Sequence, residues 1–409
     1  MSPMRSRLVL GTLVAMLITL VPLSADAAVS RWCAGKRATI VGTDGPDWSE
    51  GTPGKDVISL GGGDDTAFPD EGDIVCLGDG NDIAFTNGRT TVYGGGGHDQ
   101  VQAKGTATTF KGGPGDDQFR RIGASAPDKI YGGSGNDRLY VSDLTSVINV
   151  GTGLNAVNVE DNHTNPFVFN LGKPSWTRGG VTKSLGGIVT GIRVTGATAD
   201  TVIGAPRSEA VTFGPGDTVR SGDGSDSLFP VSNSASQAAY TVDAGPGADL
   251  FTATTGMSGT ARLGTGNDTA QVNAGSAGTV YGDSGDDVFS VNGWTPSGDI
   301  FPALDGGTGT DGVKLFLSQG TTVDLLAGTF TTGAGTFAAI GFENADGSAY
   351  ADIIYGTEGA NRLTGSNGED KVYGRGGNDY LDGGPGANWA DGGPGVDTCG
   401  GFSVTVNCE

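Results

Sequence analysis

Histidine, cysteine and glutamate are scarce in this sequence, and each scarcity argues against a class of protein. Of 409 residues only two are His, His98 and His163, and four are Cys, with no C-x-x-C pair, which argues against a His/Cys zinc centre. Basic residues are few: 24 Lys+Arg face 46 Asp+Glu, for a formal charge of −22. That balance speaks against nucleic acid as a partner and against an anionic membrane surface. Beyond the N-terminus no apolar run is long enough to cross a bilayer, so membrane insertion is not expected. H-E-x-x-H, G-x-S-x-G and G-x-x-x-x-G-K-[ST] are all absent, which removes the common protease, esterase and nucleotide-site signatures. No catalytic residue is assigned, and the chain reads as a non-enzyme.

What the sequence has in quantity is Gly, at 76 residues, and Asp, since just eight of its acids are Glu. Asp is the shorter acid, suited to turns and to ligation of hard cations. The first residues carry Arg5 and Arg7, an apolar stretch from Leu8 to Leu23, and Ala25-Asp26-Ala27. This is the layout of a secretory signal peptide over residues 1–27, and it implies an extracellular product. Its removal leaves a net charge of −23. In an oxidising compartment Cys33, Cys76, Cys399 and Cys408 can pair in three ways. The local pairing, Cys33 with Cys76 and Cys399 with Cys408, is the expected one.

A nine-residue period organises the rest. From residue 347 the units GSAYADIIY, GTEGANRLT, GSNGEDKVY, GRGGNDYLD, GGPGANWAD and GGPGVDTCG follow without insertion. Their sixth positions are Asp352, Asn361, Asp370, Asp379, Asn388 and Asp397, and their eighth positions are Ile354, Leu363, Val372, Leu381, Ala390 and Cys399. Near the other end the same frame places Asp47, Asp56 and Asp65 nine apart, then, with slips, Asp73, Asp82, Asp99, Asp117 and Asp137. The middle is looser, with units centred on Asp200, Asp217, Asp226, Asp249, Asp268, Asp287 and Asp311. Residues 161–195 and 316–345 lack the glycine pattern and read as strand-bearing turns or insertions.

A unit of the form G-G-x-G-x-D-x-U-x is a six-residue turn followed by a three-residue strand whose middle side chain points inward. Two units make one coil, so a turn lies over the turn eighteen residues away: Asp352 over Asp370, Asn361 over Asp379, Asp99 over Asp117. Between such turns lie carboxylates and glycine carbonyls, the all-oxygen set that Ca²⁺ takes six to eight of, whereas Mg²⁺ demands a stricter octahedron and keeps its waters. Stacked like charges also require a counter-ion.

The units resemble the repeats-in-toxin, or hemolysin-type, calcium-binding nonapeptides, closely over 347–398, well over 42–140 and in fragments over 196–315. That resemblance implies an all-β fold, a parallel β-roll or β-helix solenoid of Gly/Asp-rich nonapeptide repeats with Ca²⁺ between its turns. It makes metal ligands of the sixth-position residues Asp47, Asp56, Asp65, Asp73, Asp82, Asp99, Asp117, Asp137, Asp217, Asp226, Asp249, Asp268, Asp287, Asp352, Asn361, Asp370, Asp379, Asn388 and Asp397. Asn361 and Asn388 keep an oxygen but lose the charge, so weaker sites are expected there. The Cys-bearing ends, CAGKRATIVGT and CGGFSVTVNCE, look like those of small secreted actinobacterial calcium-binding proteins and are expected to cap the open edges of the solenoid.

The expected organisation is a signal peptide (1–27), an N-terminal cap (28–41), a repeat block (42–160), an irregular stretch (161–195), degenerate repeats (196–315), connector turns (316–346), a regular repeat block (347–398) and a C-terminal cap (399–409). The expected function is extracellular binding of several calcium ions, coupled to folding, in a structural or surface role. Two rivals come from other classes. One is a β-helical polysaccharide lyase or epimerase, for which His163, Lys173, Trp176, Arg178 and Lys183 form the cluster to inspect. The other is an adhesin binding a cell-surface or extracellular glycan, for which the same cluster could line a carbohydrate-binding face; Trp48, Trp294 and Trp389 are candidate contacts to a partner that the sequence does not identify.

Overall fold

The computed structural model describes residues 32–123, 127–141, 146–159, 166–195, 198–232, 238–293 and 300–408. Residues 1–27, the expected signal peptide, and His163 and Trp294 lie outside the described residues. Among those described, every regular element is a strand, and the strands stack into a parallel solenoid. One face is an unbroken ribbon of eighteen parallel strands that begins at Trp48–Glu50 and ends at Thr398–Gly400. The opposite face is made of a seven-stranded sheet from Ile40–Val41 to Val147–Asn149, followed by a sixteen-stranded sheet that ends at Val404–Val406.

Register follows the nonapeptide period where the sequence is regular. Val372 pairs with Ala390 and Leu363 with Leu381, eighteen residues apart. Where the spacing slips, the pairing stretches and the extra residues go to the turns. Phe251 pairs with Ala270, Phe289 with Val313, and Val313 with Ala345. The strands stay in line because one inward side chain per strand must meet the core, and a one-residue slip would turn it out to solvent. The inward positions Ile354, Leu363, Val372, Leu381 and Ala390 are all fully buried. So are Val75, Val92, Phe110 and Ile130 on one face and Ala84, Val101, Phe119 and Leu139 on the other.

The turns can stack at strand spacing only because glycine lines them. Gly113 has φ +121°, and a Cβ there would overlap the Gly95 carbonyl of the preceding coil. Gly95 stands in the same relation to Gly78, so the restriction recurs along the axis.

The two stretches without the glycine pattern are antiparallel excursions from the solenoid. Val168–Asn170, Ser175–Arg178 and Val181–Ser184 form one, and Thr322–Asp324, Thr329–Thr332 and Gly335–Ile340 the other. Each starts from a strand in parallel register with a later coil, Val168–Asn170 with Thr201–Ile203 and Thr322–Asp324 with Ile353–Tyr355.

Both disulfides join the cysteines closest in sequence, Cys33 to Cys76 and Cys399 to Cys408, with Cα atoms 5.6 and 5.8 Å apart. Cys76 lies between the inward Val75 and Leu77, and its partner Cys33 is itself buried. At the other end Cys399 continues the inward column of Leu363 and Leu381, and Cys408 packs against the same core.

Candidate metal centre

Each six-residue turn ends at a residue whose main-chain N–H points along the axis toward the next coil. On one edge of the solenoid a side-chain oxygen of that next coil accepts it. Asp47 donates to Asp65 Oδ1, Asp65 to Asp82, Asp82 to Asp99, Asp99 to Asp117 and Asp117 to Asp137, at 2.7 to 3.0 Å. Asp137 donates to Asn155 Oδ1. After the first excursion the ladder resumes from Glu209 to Asp226, Asp249, Asp268, Asp287 and Asp311. It continues through Glu343 and closes with Asn361, Asp379 and Asp397. This is the acidic edge. It gathers thirteen of the sequence-predicted site residues and adds four that the nonapeptide frame did not supply as ligands, namely Asn155, Glu209, Asp311 and Glu343.

Each aspartate of this ladder has a second carboxyl oxygen, and here the edge is incomplete. Oδ2 of Asp65, Asp82, Asp99, Asp117, Asp137, Asp226, Asp249, Asp268, Asp287, Asp311, Asp379 and Asp397 is buried with no hydrogen-bond partner. A Cβ on Gly94 would overlap both Asp99 Oδ2 and the Gly112 carbonyl of the next coil. Gly282 stands likewise with Asp287 Oδ2 and the Gly306 carbonyl, and Gly374 with Asp379 Oδ2 and the Gly392 carbonyl. Carboxyl and carbonyl oxygens thus converge where no donor is present. An unpaired buried acceptor costs about 1 to 3 kcal/mol, more when charged, so twelve in one row need a cation or a proton.

Burial drives the carboxyl groups toward the protonated form. Asp99, Asp117 and Asp249 are pushed up to about 7, and Asp65, Asp137, Asp287, Asp311 and Asp379 to about 6, chiefly by desolvation and against the hydrogen bond each accepts. Glu209 is pushed up to about 8 by the same cause.

Asn388 shows what a donor does at this position. Its Nδ2, in the place of an aspartate's second oxygen, donates to the carbonyls of Gly383, Gly384 and Gly401 at 2.8, 2.9 and 3.1 Å. An amide there points at three carbonyl oxygens. The turn is therefore a cage of acceptors, and the donor set suits a hard cation that takes oxygen alone. Among the described residues no three His, Cys, Asp or Glu side chains converge on one point, because coil spacing of about 4.8 Å separates the carboxylates. Main-chain carbonyls must complete any coordination shell.

The opposite, mixed edge holds the other six predicted residues, Asp56, Asp73, Asp217, Asp352, Asp370 and Asn388. Its ladder is interrupted by Thr90 and Thr108, and its carboxylates mostly have donors for both oxygens. Asp56 Oδ2 accepts from Thr52 N–H and Oγ1, Asp73 Oδ2 from Asp70 N–H, Asp217 Oδ2 from Gly214 N–H, and Asp352 Oδ2 from Ser348 N–H and Oγ. Asp370 Oδ2 lacks a partner. Asp128 also belongs to this edge; Arg121, itself buried, donates from Nε and Nη2 to its two carboxyl oxygens. The nonapeptide frame passed over Asp128, although Lys129, Ile130 and Tyr131 after it form the strand pattern.

His98 is part of the stacked turns. Its main-chain N–H donates to Asn81 Oδ1, and its Nδ1 accepts from Asp116 N–H at 2.9 Å, within an exposed ladder of fifth-position side chains. Of the cluster around the first excursion, Trp176 is 5% exposed and packs edge-on against Phe167, so it offers no open ring to a sugar. Lys183 and Arg178 lie over Trp176 and Phe167. Trp48 is exposed beside Phe68, and Trp389 is half-buried against Tyr373.

Four segments, residues 41–73, 122–143, 346–381 and 373–401, match the RTX calcium-binding nonapeptide repeat. The chain carries RTX repeats. No curated protein matches it. The matched segments leave out residues 144–345, yet the ladder of the acidic edge resumes there at Glu209 and runs through Asp226 to Asp311 in the same hydrogen-bonded pattern. The two disulfides are compatible with an oxidising compartment.

Proposed function

We propose that this protein is a secreted calcium-binding solenoid that takes up several Ca²⁺ ions between its stacked turns, folds as it binds them, and serves a structural, surface or matrix role and not a catalytic one. The observation that carries this reading is the row of buried aspartate oxygens on the acidic edge with carbonyl oxygens beside them and no donor. Asp65 to Asp137, Asp226 to Asp311, and Asp379 with Asp397 are the side chains that would hold the ions. Calcium supplies a divalent charge and an irregular shell of six to eight oxygens, which a row of carbonyls and single carboxylates can meet. Because these oxygens are brought together only by folding, binding energy becomes folding energy. Extracellular calcium is plentiful, so the chain would be exported unfolded and fold outside the cell.

Far-UV circular dichroism of the mature chain during a calcium titration, with magnesium as control, tests the reading. The expected result is a cooperative coil-to-β transition with calcium alone. A β-rich spectrum in excess chelator that calcium leaves unchanged would overturn calcium-coupled folding.

A further inference from the structure

The two edges of the solenoid present the same turn to solvent but differ in what completes it. On the acidic edge the second oxygen of Asp99 or Asp268 has no donor. On the mixed edge Thr52, Ser348 and the main-chain N–H groups of Asp70 and Gly214 supply one. At Asp128, whose Oδ1 accepts from the Thr108 main-chain N–H at 2.7 Å, a guanidinium is added. Arg121 is 4% exposed, holds both oxygens of Asp128, and reaches the Gly105 carbonyl at 3.4 Å through Nη1. It thus ties a sixth-position carboxylate to a main-chain carbonyl of the preceding coil, a positive charge set between two turns.

We infer that calcium occupies the acidic edge, that the mixed edge is closed by the chain's own donors except at Asp370, and that Arg121 is a built-in cation standing in for the ion at Asp128. A second guanidinium marks the break in the acidic edge. Arg207 donates to the carbonyls of Leu171 and Val189 at 2.9 and 3.0 Å and lies 3.6 Å from Glu209 Oε1. The ion row is therefore divided into an N-terminal run that ends near Asp137 and a second that starts at Asp226. The physical reason for such a plug is that a fixed charge needs no ion and holds its coil at any calcium level, whereas an open site holds it only when loaded.

This inference rests on the calcium-binding reading, and equilibrium dialysis of the full mature chain with calcium alone separates the two. Asp99→Asn and Asp268→Asn, on the acidic edge, are each expected to lower the number of ions bound per chain by at least one. Asp73→Asn, Asp217→Asn and Asp352→Asn, on the mixed edge, are expected to leave that number unchanged. Arg121→Gln, which removes the guanidinium from Asp128, is expected to raise the number by one, and Arg121→Lys to leave it as in the unsubstituted chain. Loss of ions in the mixed-edge variants equal to that in the acidic-edge variants would overturn the one-edged arrangement. An unchanged count in Arg121→Gln, or a chain that excess calcium does not fold, overturns the stand-in role of Arg121. An unsubstituted chain that binds no calcium removes the reading beneath both.

Discussion

Asn388 and Asp379 occupy the same place in successive turns on opposite edges, and one atom separates their behaviour. The amide nitrogen of Asn388 satisfies three carbonyls, while the corresponding oxygen of Asp379 meets a carbonyl with no proton between them. Asn388→Asp should therefore replace a donor by a buried, unpaired acceptor, at a cost of about 1 to 3 kcal/mol without metal. In calcium the same change should add one bound ion, and isothermal titration calorimetry of the variant against the parent reads both the count and the affinity. No added ion would mean that the carbonyl cage around Asn388 does not take calcium. The expectation of weak sites at Asn361 and Asn388 has a related basis, since Asn361 Nδ2 donates to the Glu343 carbonyl and to Thr357 Oγ1. In both places the side chain itself fills part of the cage.

The turn is the element that decides how closely coils approach. Gly113 has both a left-handed φ and a neighbouring carbonyl where a side chain would go, so Gly113→Ala combines backbone strain with a main-chain clash. A loss of about 2 kcal/mol or more is expected in calcium-saturated denaturant unfolding. Gly400 has no atom within 4 Å of an added Cβ and no left-handed φ, and Gly400→Ala should stay within about 0.5 kcal/mol. Equal losses at both positions would show that stacking distance is not what glycine protects. The strands ask less of the sequence, since one buried side chain in each suffices, and Ala67, Val101 and Phe119 all serve on the same face.

Charge acts on the whole molecule. Without metal, the raised carboxyl groups from Asp65 to Asp379 favour the folded state when protonated. A group whose folded value lies above its ordinary value near 4 gives its full stabilisation below that value and loses it as the pH rises through the folded value. For Asp65 and Asp287 that window ends near 6, and for Asp99, Asp117 and Asp249 near 7. The metal-free chain should therefore be richest in β structure near pH 4 to 5 and lose it between about 6 and 7. Calcium at pH 8 should restore it, with release of protons on binding between these limits. Circular dichroism against pH in metal-free buffer and in calcium measures this, and a metal-free chain more ordered at pH 8 than at pH 5 would contradict it. Asp56 runs the other way, because the hydroxyl and N–H of Thr52 hold its carboxyl below the usual range, so its contribution is lost only as the pH falls below about 4.

The repeat by itself determined the parallel stack, the eighteen-residue register of the regular coils, the inward column from Ile354 to Ala390 and the oxygen-only chemistry of the turns. These are local matters: a turn that glycine permits, a strand with one apolar side chain, and a carboxylate at a fixed offset from both. Cysteine spacing likewise pointed to the two local pairings. Only the tertiary structure sorted the acids by edge, because a slip of one residue or an excursion of thirty changes which coil a given Asp meets while leaving its nonapeptide unaltered. The structure placed Glu209 and Asn155 in the ladder and brought Arg121 against Asp128. It also showed that Asp352 has donors for both its oxygens while Asp379 lacks one for Oδ2. Whether an aspartate is answered by a proton donor or left to a cation depends on residues of neighbouring coils, and no nine-residue window contains them.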